Sequence, residues 1–189
     1  MENNIKRYDK LLTTDKTALL IIDIQEKIIN VINEYELVIE NTIKLIKGFK
    51  ALGVSIYHTE QYPKGLGPTV QSIQTELDEN EAIQKLSFSC SGAGELFNDL
   101  KKKKISQVVV CGIESHVCVQ QTVLDLLANN FQVNVVADAV SSRRVKDYDI
   151  ALSRMRQHGA EVTTTEAILF ELLNVCDTEV FKKVSKIVK

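Results

Sequence analysis

Three ionisable residues of the types used in nucleophilic catalysis each follow a predicted strand. Asp23 ends an apolar run, Lys85 ends a short predicted strand, and Cys118 lies just beyond a third run rich in β-branched residues. Because ligands of an open parallel sheet bind outside the carboxyl ends of its strands, we expect these side chains to meet at one edge. There the Cys118 thiol could act as nucleophile, Asp23 could take its proton, and Lys85 could orient the carboxylate.

Cys118 falls in the first turn of a helix predicted to begin shortly after the glycine at position 112. The unpaired N–H groups and the positive end of a helix favour a thiolate over a thiol. Backbone N–H groups of residues 114–118 could also stabilise a tetrahedral oxyanion. Taken singly, Cys118 could equally be a small core residue, Lys85 a solvated loop residue, and Asp23 a helix cap or a surface group. The combination points to catalysis more specifically than any one member.

Strands alternate with helices along the chain. The hydrophobic patterns predict strands near 17–22, 54–59, 82–85, 105–111, 131–136 and 161–164, and helices near 34–52, 69–78, 93–103, 115–129, 146–158, 165–174 and 177–188. This alternation is typical of a parallel sheet with right-handed crossovers and helices on both faces. We therefore predict an α/β fold, namely a three-layer α/β/α Rossmann-like domain with a mostly parallel central sheet. The length of 189 residues favours a single domain over 1–189.

The composition argues against several classes of partner. A formal net charge of -2 gives no electrostatic reason to bind nucleic acid or an anionic membrane. The absence of Trp and an aromatic content of 6% weaken any role in base stacking. No apolar run approaches the roughly 20 residues that cross a bilayer. We therefore expect a small-molecule substrate, and neither nucleic acid nor membrane as a partner.

The cysteines and the first residues favour a cytoplasmic protein. Residues 1–7 contain no apolar core of the kind that a signal peptide needs. The four cysteines, at positions 90, 111, 118 and 176, show neither zinc-like spacing nor the disulfide-dense pattern of small secreted domains. Free thiols in a reducing cytosol are the expectation.

Three sequence motifs surround the candidate catalytic residues. They are Leu20-Ile21-Ile22-Asp23-Ile24-Gln25, Gln84-Lys85-Leu86-Ser87-Phe88 and Cys111-Gly112-Ile113-Glu114-Ser115-His116-Val117-Cys118-Val119. In this order and spacing, over a core of about residues 15–175, the chain resembles the isochorismatase-like hydrolase family, which also contains nicotinamidases and N-carbamoylsarcosine amidase. The stretches 59–69 and 141–143 are similar to those of the isochorismatase domain-containing proteins within that family.

The resemblance implies a specific catalytic arrangement. Asp23, Lys85 and Cys118 would form a catalytic triad, and the Ile113–Glu114 peptide bond would be cis. That bond would direct the Glu114 N–H to join the N–H of Cys118 in an oxyanion hole. Family enzymes of this kind cleave the C–N bond of a small amide through a thioester intermediate, although isochorismatase itself cleaves a vinyl ether. The resemblance also implies a homo-oligomer, either a dimer or a tetramer.

One departure from the family concerns metal binding. Metal-dependent nicotinamidases carry an Asp-x-His motif after the second strand, where this chain has Glu60-Gln61-Tyr62. A zinc site needs about three protein ligands, and His58 is the only histidine near Glu60. We therefore predict no metal and no cofactor, which makes nicotinamide a less suitable substrate.

Five residues are candidates for the substrate pocket because they are close in sequence to the triad: Gln25, Glu60, Tyr62, Phe88 and His116. Side chains two residues apart on a helix do not face each other, so His116 is interpreted as a turn or pocket residue rather than as the base of a Cys–His pair. An accessible Glu114 side chain would favour a polar or cationic group on the substrate.

Two other functions remain open from the residues alone. One is a thiol redox or sensor protein, in which Cys118 is oxidised and Cys111 or another cysteine resolves it. The other is a catalytically silent binding module on the same scaffold, which would have no need of an activated thiol. The C-terminal helices also carry more apolar residues than one helix face buries easily, which is compatible with an oligomer: Leu169, Phe170, Leu172, Leu173, Val180 and Phe181.

Overall fold

A computed structural model describes residues 6–78 and 81–189 of the chain. The expectation that residues 1–7 form no signal peptide therefore falls mostly on residues outside this part. The central sheet of this part has the order β3-β2-β1-β4-β5-β6. All of its pairings are parallel. The strands are β1 (Thr17–Ile22), β2 (Ser55–Gln61), β3 (Ile83–Lys85), β4 (Gln107–Ile113), β5 (Gln132–Ser141) and β6 (Glu161–Thr163).

Helices cover both faces of the sheet, which confirms the predicted three-layer α/β/α architecture. They are α1 (Glu26–Ile29), α2 (Tyr35–Leu52), α3 (Pro63–Leu66), α4 (Gln71–Leu77), α5 (Leu96–Lys102), α6 (Gln120–Ala128), α7 (Val145–Gln157), α8 (Thr165–Leu173) and α9 (Glu179–Ile187). A 3-10 turn (Cys90–Gly92) and a π-helical turn (Ser115–Val119) complete the set. Within the described residues, no helix has both the length and the apolar composition needed to cross a bilayer.

Two hydrophobic layers hold these helices against the sheet. Alternate residues of β1 point to opposite faces, so Leu19 and Ile21 pack with α2, α4, α8 and α9, whereas Leu20 and Ile22 pack with α5, α6 and α7. All six residues of β1 are buried, as a continuous apolar strand in the middle of a parallel sheet requires.

The C-terminal helices bury their apolar side chains within the chain itself. Leu169, Leu172 and Leu173 belong to the core, and Val180 and Phe181 pack against it. Phe170 is the exception, with 38% of its surface exposed. Five of the six apolar residues that are compatible with an oligomer therefore pack within the chain, where α2 lies against α8 and α9, and Phe170 is the one that remains exposed.

The strand order reverses between β1 and β4, which are parallel neighbours at the centre of the sheet. Strands added after β1 extend one way, to β2 and β3, and those after β4 extend the other way, to β5 and β6. The crossovers therefore diverge at this point and leave a crevice at the carboxyl ends of β1 and β4. Asp23 directly follows β1, and the turn that holds Cys118 follows β4.

Gly112 allows these two central strands to approach at the crevice. It pairs with Ile22 and has a φ of 123°, a backbone conformation that residues other than glycine rarely adopt. A Cβ atom at this position would collide with the backbone of Ile22. The close approach brings the residue after β1 next to the loop after β4.

Strand β5 is longer than predicted, since it continues to Ser141 instead of ending near 136. Its pairing with β4 is interrupted after Val135, and it resumes where Val140 faces Gly112. The intervening residues bulge, and the bulge is held in part by Asp138, whose carboxylate accepts hydrogen bonds from the N–H and hydroxyl of Thr165. The resumed pairing carries the chain after Ser141 towards the crevice.

Candidate active site

Asp23 is the residue around which the site is built. It is 3% exposed. Its Oδ2 lies 2.6 Å from Nζ of Lys85, and its Oδ1 accepts a hydrogen bond of 2.8 Å from the hydroxyl of Thr59. The backbone N–H of Asp23 donates to the carbonyl of Thr59 at 3.2 Å. Both carboxylate oxygens therefore have partners, which a buried carboxylate requires.

Lys85 reaches Asp23 from the end of β3, two strands away. Its ammonium also donates to the carbonyls of Ser87 and Phe88, at 3.1 and 3.0 Å. The three protons of the ammonium thus have three acceptors. The loop after β3 folds around the lysine and fixes the ion pair in one geometry.

Cys118 lies in the π-helical turn after β4, on the same side of the crevice as Asp23. Its thiol donates a weak hydrogen bond of 3.7 Å to Oε1 of Gln61. Burial raises the pKa of this thiol above its ordinary value, the Asp23 carboxylate raises it further, and the Lys85 ammonium acts in the opposite direction. The expectation that the helix end favours a thiolate is therefore wrong for this site. The thiol keeps its proton at neutral pH, and its attack requires a base.

The loop between β4 and the π-helical turn contains the cis peptide bond Ile113–Glu114. Among the turn and loop hydrogen bonds of the described residues, none has the Glu114 N–H as its donor. The Glu114 side chain turns away into an ion pair, in which its Oε1 accepts from the backbone N–H of Arg143 at 3.1 Å and from Nε at 3.0 Å. Because the Glu114 side chain is buried and its charge is paired, the suggestion that it attracts a cationic substrate loses its basis.

A cavity of about 350 Å³ opens onto these groups. This volume is near the lower end of the range of small-molecule sites. The lining residues are Asp23, Ile28, Gln61, Leu66, Phe88, Ile113, Glu114, Val117, Cys118 and Arg143. The structure thus places the carboxylate and the thiol in one cavity, with the Lys85 ammonium bonded directly behind the carboxylate.

Among the five predicted pocket residues, Phe88 lines this cavity and the others lie outside its lining. Gln25 is fully buried and binds the backbone of Gln61 and the carbonyl of Gly67. Glu60 is on the face of β2 that points away from Asp23 and Cys118, where its carboxylate accepts hydrogen bonds from the backbone N–H and hydroxyl of Thr69 at 2.7 and 3.0 Å. Both side chains hold the 60–70 loop in place.

The remaining two pocket candidates are also displaced from the cavity. Tyr62 is 52% exposed and lines a neighbouring hollow with Leu86. His116 shares a hydrogen bond of 2.9 Å with the hydroxyl of Ser142 through Nδ1. The histidine therefore connects the turn of Cys118 to the chain after β5, which agrees with the turn role considered for it.

The other thiols lie in different surroundings. Cys111 is in the hydrophobic layer on the opposite face of the sheet from Cys118. Cys90 lies on the same face as Cys118, and its sulfur is 3.8 Å from the hydroxyl of Thr59. Cys176 is exposed. In the part of the chain that the structure describes, no group of three or more His, Cys, Asp and Glu side chains is arranged to hold a metal.

Sequence reasoning missed Thr59 and Gln61 as members of the site. Both lie on one face of β2, since residues two apart in a strand point the same way. The strand was predicted to end at 59, whereas it continues to Gln61. If the strand had been extended to Gln61, the rule that strand ends line the crevice would have found both residues.

The fold and the site define an α/β/α protein with a buried thiol, carboxylate and ammonium at the point where its strand order reverses. The family model described as "Isochorismatase domain" matches residues 17–167. Isochorismatase family protein 1A of Dictyostelium discoideum is 41% identical over 178 residues, which cover 92% of this chain and 86% of that protein. Isochorismatase domain-containing protein 2 of Danio rerio is 38% identical over 176 residues, covering 93% and 88%.

A comparison with solved structures gives a match of the same extent. The structure of MAR1 ribonuclease from Caenorhabditis elegans has a TM-score of 0.87 and 39% sequence identity, and the match covers 94% of this chain and 91% of that one. The chain belongs to the isochorismatase family, and its fold is the hydrolase fold of that family.

Proposed function

We propose that this protein is a cysteine-dependent hydrolase that cleaves the C–N bond of a small amide through a thioester on Cys118. The observation that supports this most directly is the shared cavity of Asp23 and Cys118, with one oxygen of the carboxylate held by Lys85. A protonated thiol beside a buried carboxylate is a nucleophile with its base already in place.

The first half of the reaction forms the acyl-enzyme. As Sγ of Cys118 attacks the carbonyl carbon, its proton passes to Asp23, and the carbonyl oxygen becomes an oxyanion. The N–H groups of Glu114 and Cys118 would stabilise that oxyanion. The C–N bond then breaks, the proton passes from Asp23 to the leaving nitrogen, and ammonia or an amine departs.

The second half restores the thiol. Asp23 takes a proton from a water molecule as the water oxygen attacks the thioester carbon. The C–S bond breaks, the sulfur recovers the proton from Asp23, and a carboxylic acid is released. Lys85 holds Asp23 in position in both halves, because its ammonium donates to Asp23 and to two fixed backbone carbonyls.

The two alternatives from the sequence fit the geometry less well. A redox sensor needs a thiolate, whereas burial and Asp23 raise the pKa of Cys118. Cys111, which was considered as its resolving partner, lies across the sheet. A silent binding module would not need the buried Asp23–Lys85 ion pair, which is costly to desolvate.

The assembly and the location of the protein belong to the same proposal. We propose a single domain over 1–189, a homo-oligomer and a cytoplasmic location, the last supported by three free thiols buried in the core. Light scattering on the purified protein would test the assembly, since a monomer has a mass of 21.2 kDa.

Intact-mass spectrometry after rapid acid quenching tests the chemistry. Wild type, Cys118→Ala and the matched control Cys176→Ala are each exposed to a pool of small primary amides. We expect an added acyl group on wild type and on Cys176→Ala, and none on Cys118→Ala. Release of ammonia should fall by at least about a thousandfold in Cys118→Ala only.

Two outcomes would contradict the proposal. One is the absence of both an adduct and ammonia with every amide. The other is cleavage of RNA that depends on Cys118 without any turnover of amides, which would give this chain the activity named for the Caenorhabditis elegans protein. The net charge of -2 and the small cavity favour the amide.

A further inference from the structure

Arg143 lines the cavity but has no part in the proposed bond cleavage. It follows the end of β5, and 58% of its side chain is exposed. Its backbone N–H and its Nε both donate to the same oxygen of Glu114. Since 6% of the Glu114 side chain is exposed, the arginine is anchored to a buried and therefore fixed partner.

The anchoring leaves the outer part of the guanidinium available. Among residues 6–78 and 81–189, neither Nη atom of Arg143 has a hydrogen-bond partner. Each Nη carries two N–H donors, and one edge of this planar group matches the two oxygens of a carboxylate. The side chain is thus held in one orientation by the bond from Nε to Glu114, and its Nη donors are free to bind a ligand.

The other cation of the site cannot take this role. The ammonium of Lys85 donates its three protons to Asp23, Ser87 and Phe88, and it lies behind the carboxylate. The charges of the cavity form two pairs, Asp23 with Lys85 and Glu114 with Arg143. Of these four groups, the guanidinium is the one that retains unused donors.

Besides the charged groups and Gln61, the residues that line the cavity with the thiol and the arginine are apolar, among them Ile28, Leu66, Phe88 and Ile113. An aliphatic chain suits such walls, because it leaves no polar group without a partner. The volume of about 350 Å³ limits the ligand to a small molecule.

From this arrangement we infer that the substrate is the monoamide of a short dicarboxylic acid, and that Arg143 is the residue that binds its free carboxylate. The inference rests on the proposed function for the amide end alone. Binding of the carboxylate by Arg143 and acylation of Cys118 can therefore be tested separately.

Binding is tested by protection of Cys118 from iodoacetamide, with malonamate, succinamate and glutaramate as anionic probes and butyramide as the neutral probe. The anionic probe of best length should slow alkylation of Cys118 in wild type at concentrations where butyramide does not. Arg143→Met should weaken this protection by about tenfold to a hundredfold, the usual value of a charge-assisted hydrogen bond. Arg144→Met, the adjacent arginine outside the lining, is the matched control and should protect as wild type does.

Turnover gives the second readout. The ratio of kcat/KM for succinamate to kcat/KM for butyramide should favour the anion in wild type and in Arg144→Met, and should fall at least about tenfold in Arg143→Met. If the unpaired Glu114 destabilises Arg143→Met, the double variant Glu114→Gln, Arg143→Met removes both charges. The amide oxygen introduced by Glu114→Gln can still accept from the backbone N–H of residue 143.

The outcomes separate the two proposals. Arg143-dependent protection without any acyl adduct would support the carboxylate site and overturn the amide hydrolase. Acyl adducts without preference for anionic probes, or protection that is unchanged in Arg143→Met, would overturn the carboxylate site and leave the hydrolase standing. Absence of protection by all three anionic probes would also overturn it, and would make Arg143 no more than the counter-ion of Glu114.

Discussion

At the scale of single residues, Asp23 has two opposite effects on Cys118. Its carboxylate raises the pKa of the thiol, and in the proposed mechanism the same carboxylate accepts the proton of that thiol. Asp23→Asn removes the charge but keeps an oxygen that can accept from Lys85. We expect the pKa of Cys118 to fall in this variant, so that iodoacetamide alkylates it faster at a fixed pH. Hydrolysis should slow by about a hundredfold to ten-thousandfold.

The alkylation rate of Cys118 from about pH 7 to about pH 10, measured on its peptide by mass spectrometry, checks this expectation. The exposed Cys176 is an internal reference in every variant. Lys85→Met should shift the profile the other way, to higher pH, since the ammonium lowers the pKa of Cys118. Slower alkylation in Asp23→Asn than in wild type would show that the carboxylate does not control this thiol.

At the scale of secondary-structure elements, the approach of β1 to β4 depends on Gly112. Gly112→Ala combines an unfavourable positive φ, which costs roughly 1–2 kcal/mol, with a collision against Ile22 that costs about 1–3 kcal/mol more. Gly159→Ala is the matched control, because its φ is 101° but nothing lies within 4 Å of the added Cβ. Urea unfolding should therefore show a larger loss of stability at 112 than at 159.

Activity distinguishes the two glycine variants further. Any Gly112→Ala protein that folds should separate Asp23 from Cys118 and lose amide hydrolysis, whereas Gly159→Ala should keep it. Equal losses of stability in the two variants would mean that the strands can move apart at no cost. The crevice would then not depend on their close approach.

The elements show where prediction from the sequence succeeds. Strand and helix patterns located the sheet and the two faces, because a strand such as β1 is apolar from Ala18 to Ile22 and is buried on both sides. The strand-end rule correctly expected Asp23 and Lys85 to meet. Arg143 escaped assignment because β5 extends through a bulge at Asp138, and no periodic pattern signals a bulge.

The pocket was harder to predict because its walls come from short elements. Ile28 lies in α1 and Leu66 in α3, and each of these helices has only four residues. They are positioned by contacts distant in sequence, above all the hydrogen bonds that Gln25 donates to the carbonyls of Gln61 and Gly67 and accepts from the N–H of Gln61. Gln25 was therefore predicted as a pocket residue because it is close to Asp23 in sequence, although its role is to hold the 60–70 loop.

At the scale of the whole molecule, three buried thiols make the fold sensitive to alkaline pH. Burial raises the pKa of Cys90 to about 11 and that of Cys111 to about 12, from an ordinary value of 9.0, and it raises the pKa of Cys118 in the same direction. They occupy both hydrophobic layers of the sheet. Ionisation of any of them would place a charge in the core, so unfolding competes with it.

The sign of the effect follows from proton binding. Between about pH 9 and about pH 11 the unfolded chain releases its thiol protons and the folded chain keeps them, so the free energy of unfolding falls as pH rises. Each thiol contributes about 1.4 kcal/mol per pH unit, and three contribute roughly 4 kcal/mol per pH unit. Half-buried Tyr57 and Tyr148, whose pKa values are also raised, act in the same direction. Urea unfolding at several alkaline pH values measures this slope, which should become shallower by about 1.4 kcal/mol per pH unit in Cys111→Ala and stay unchanged in Cys176→Ala. A slope that is the same in Cys111→Ala as in wild type would show that the core thiols do not govern the alkaline limit of the fold.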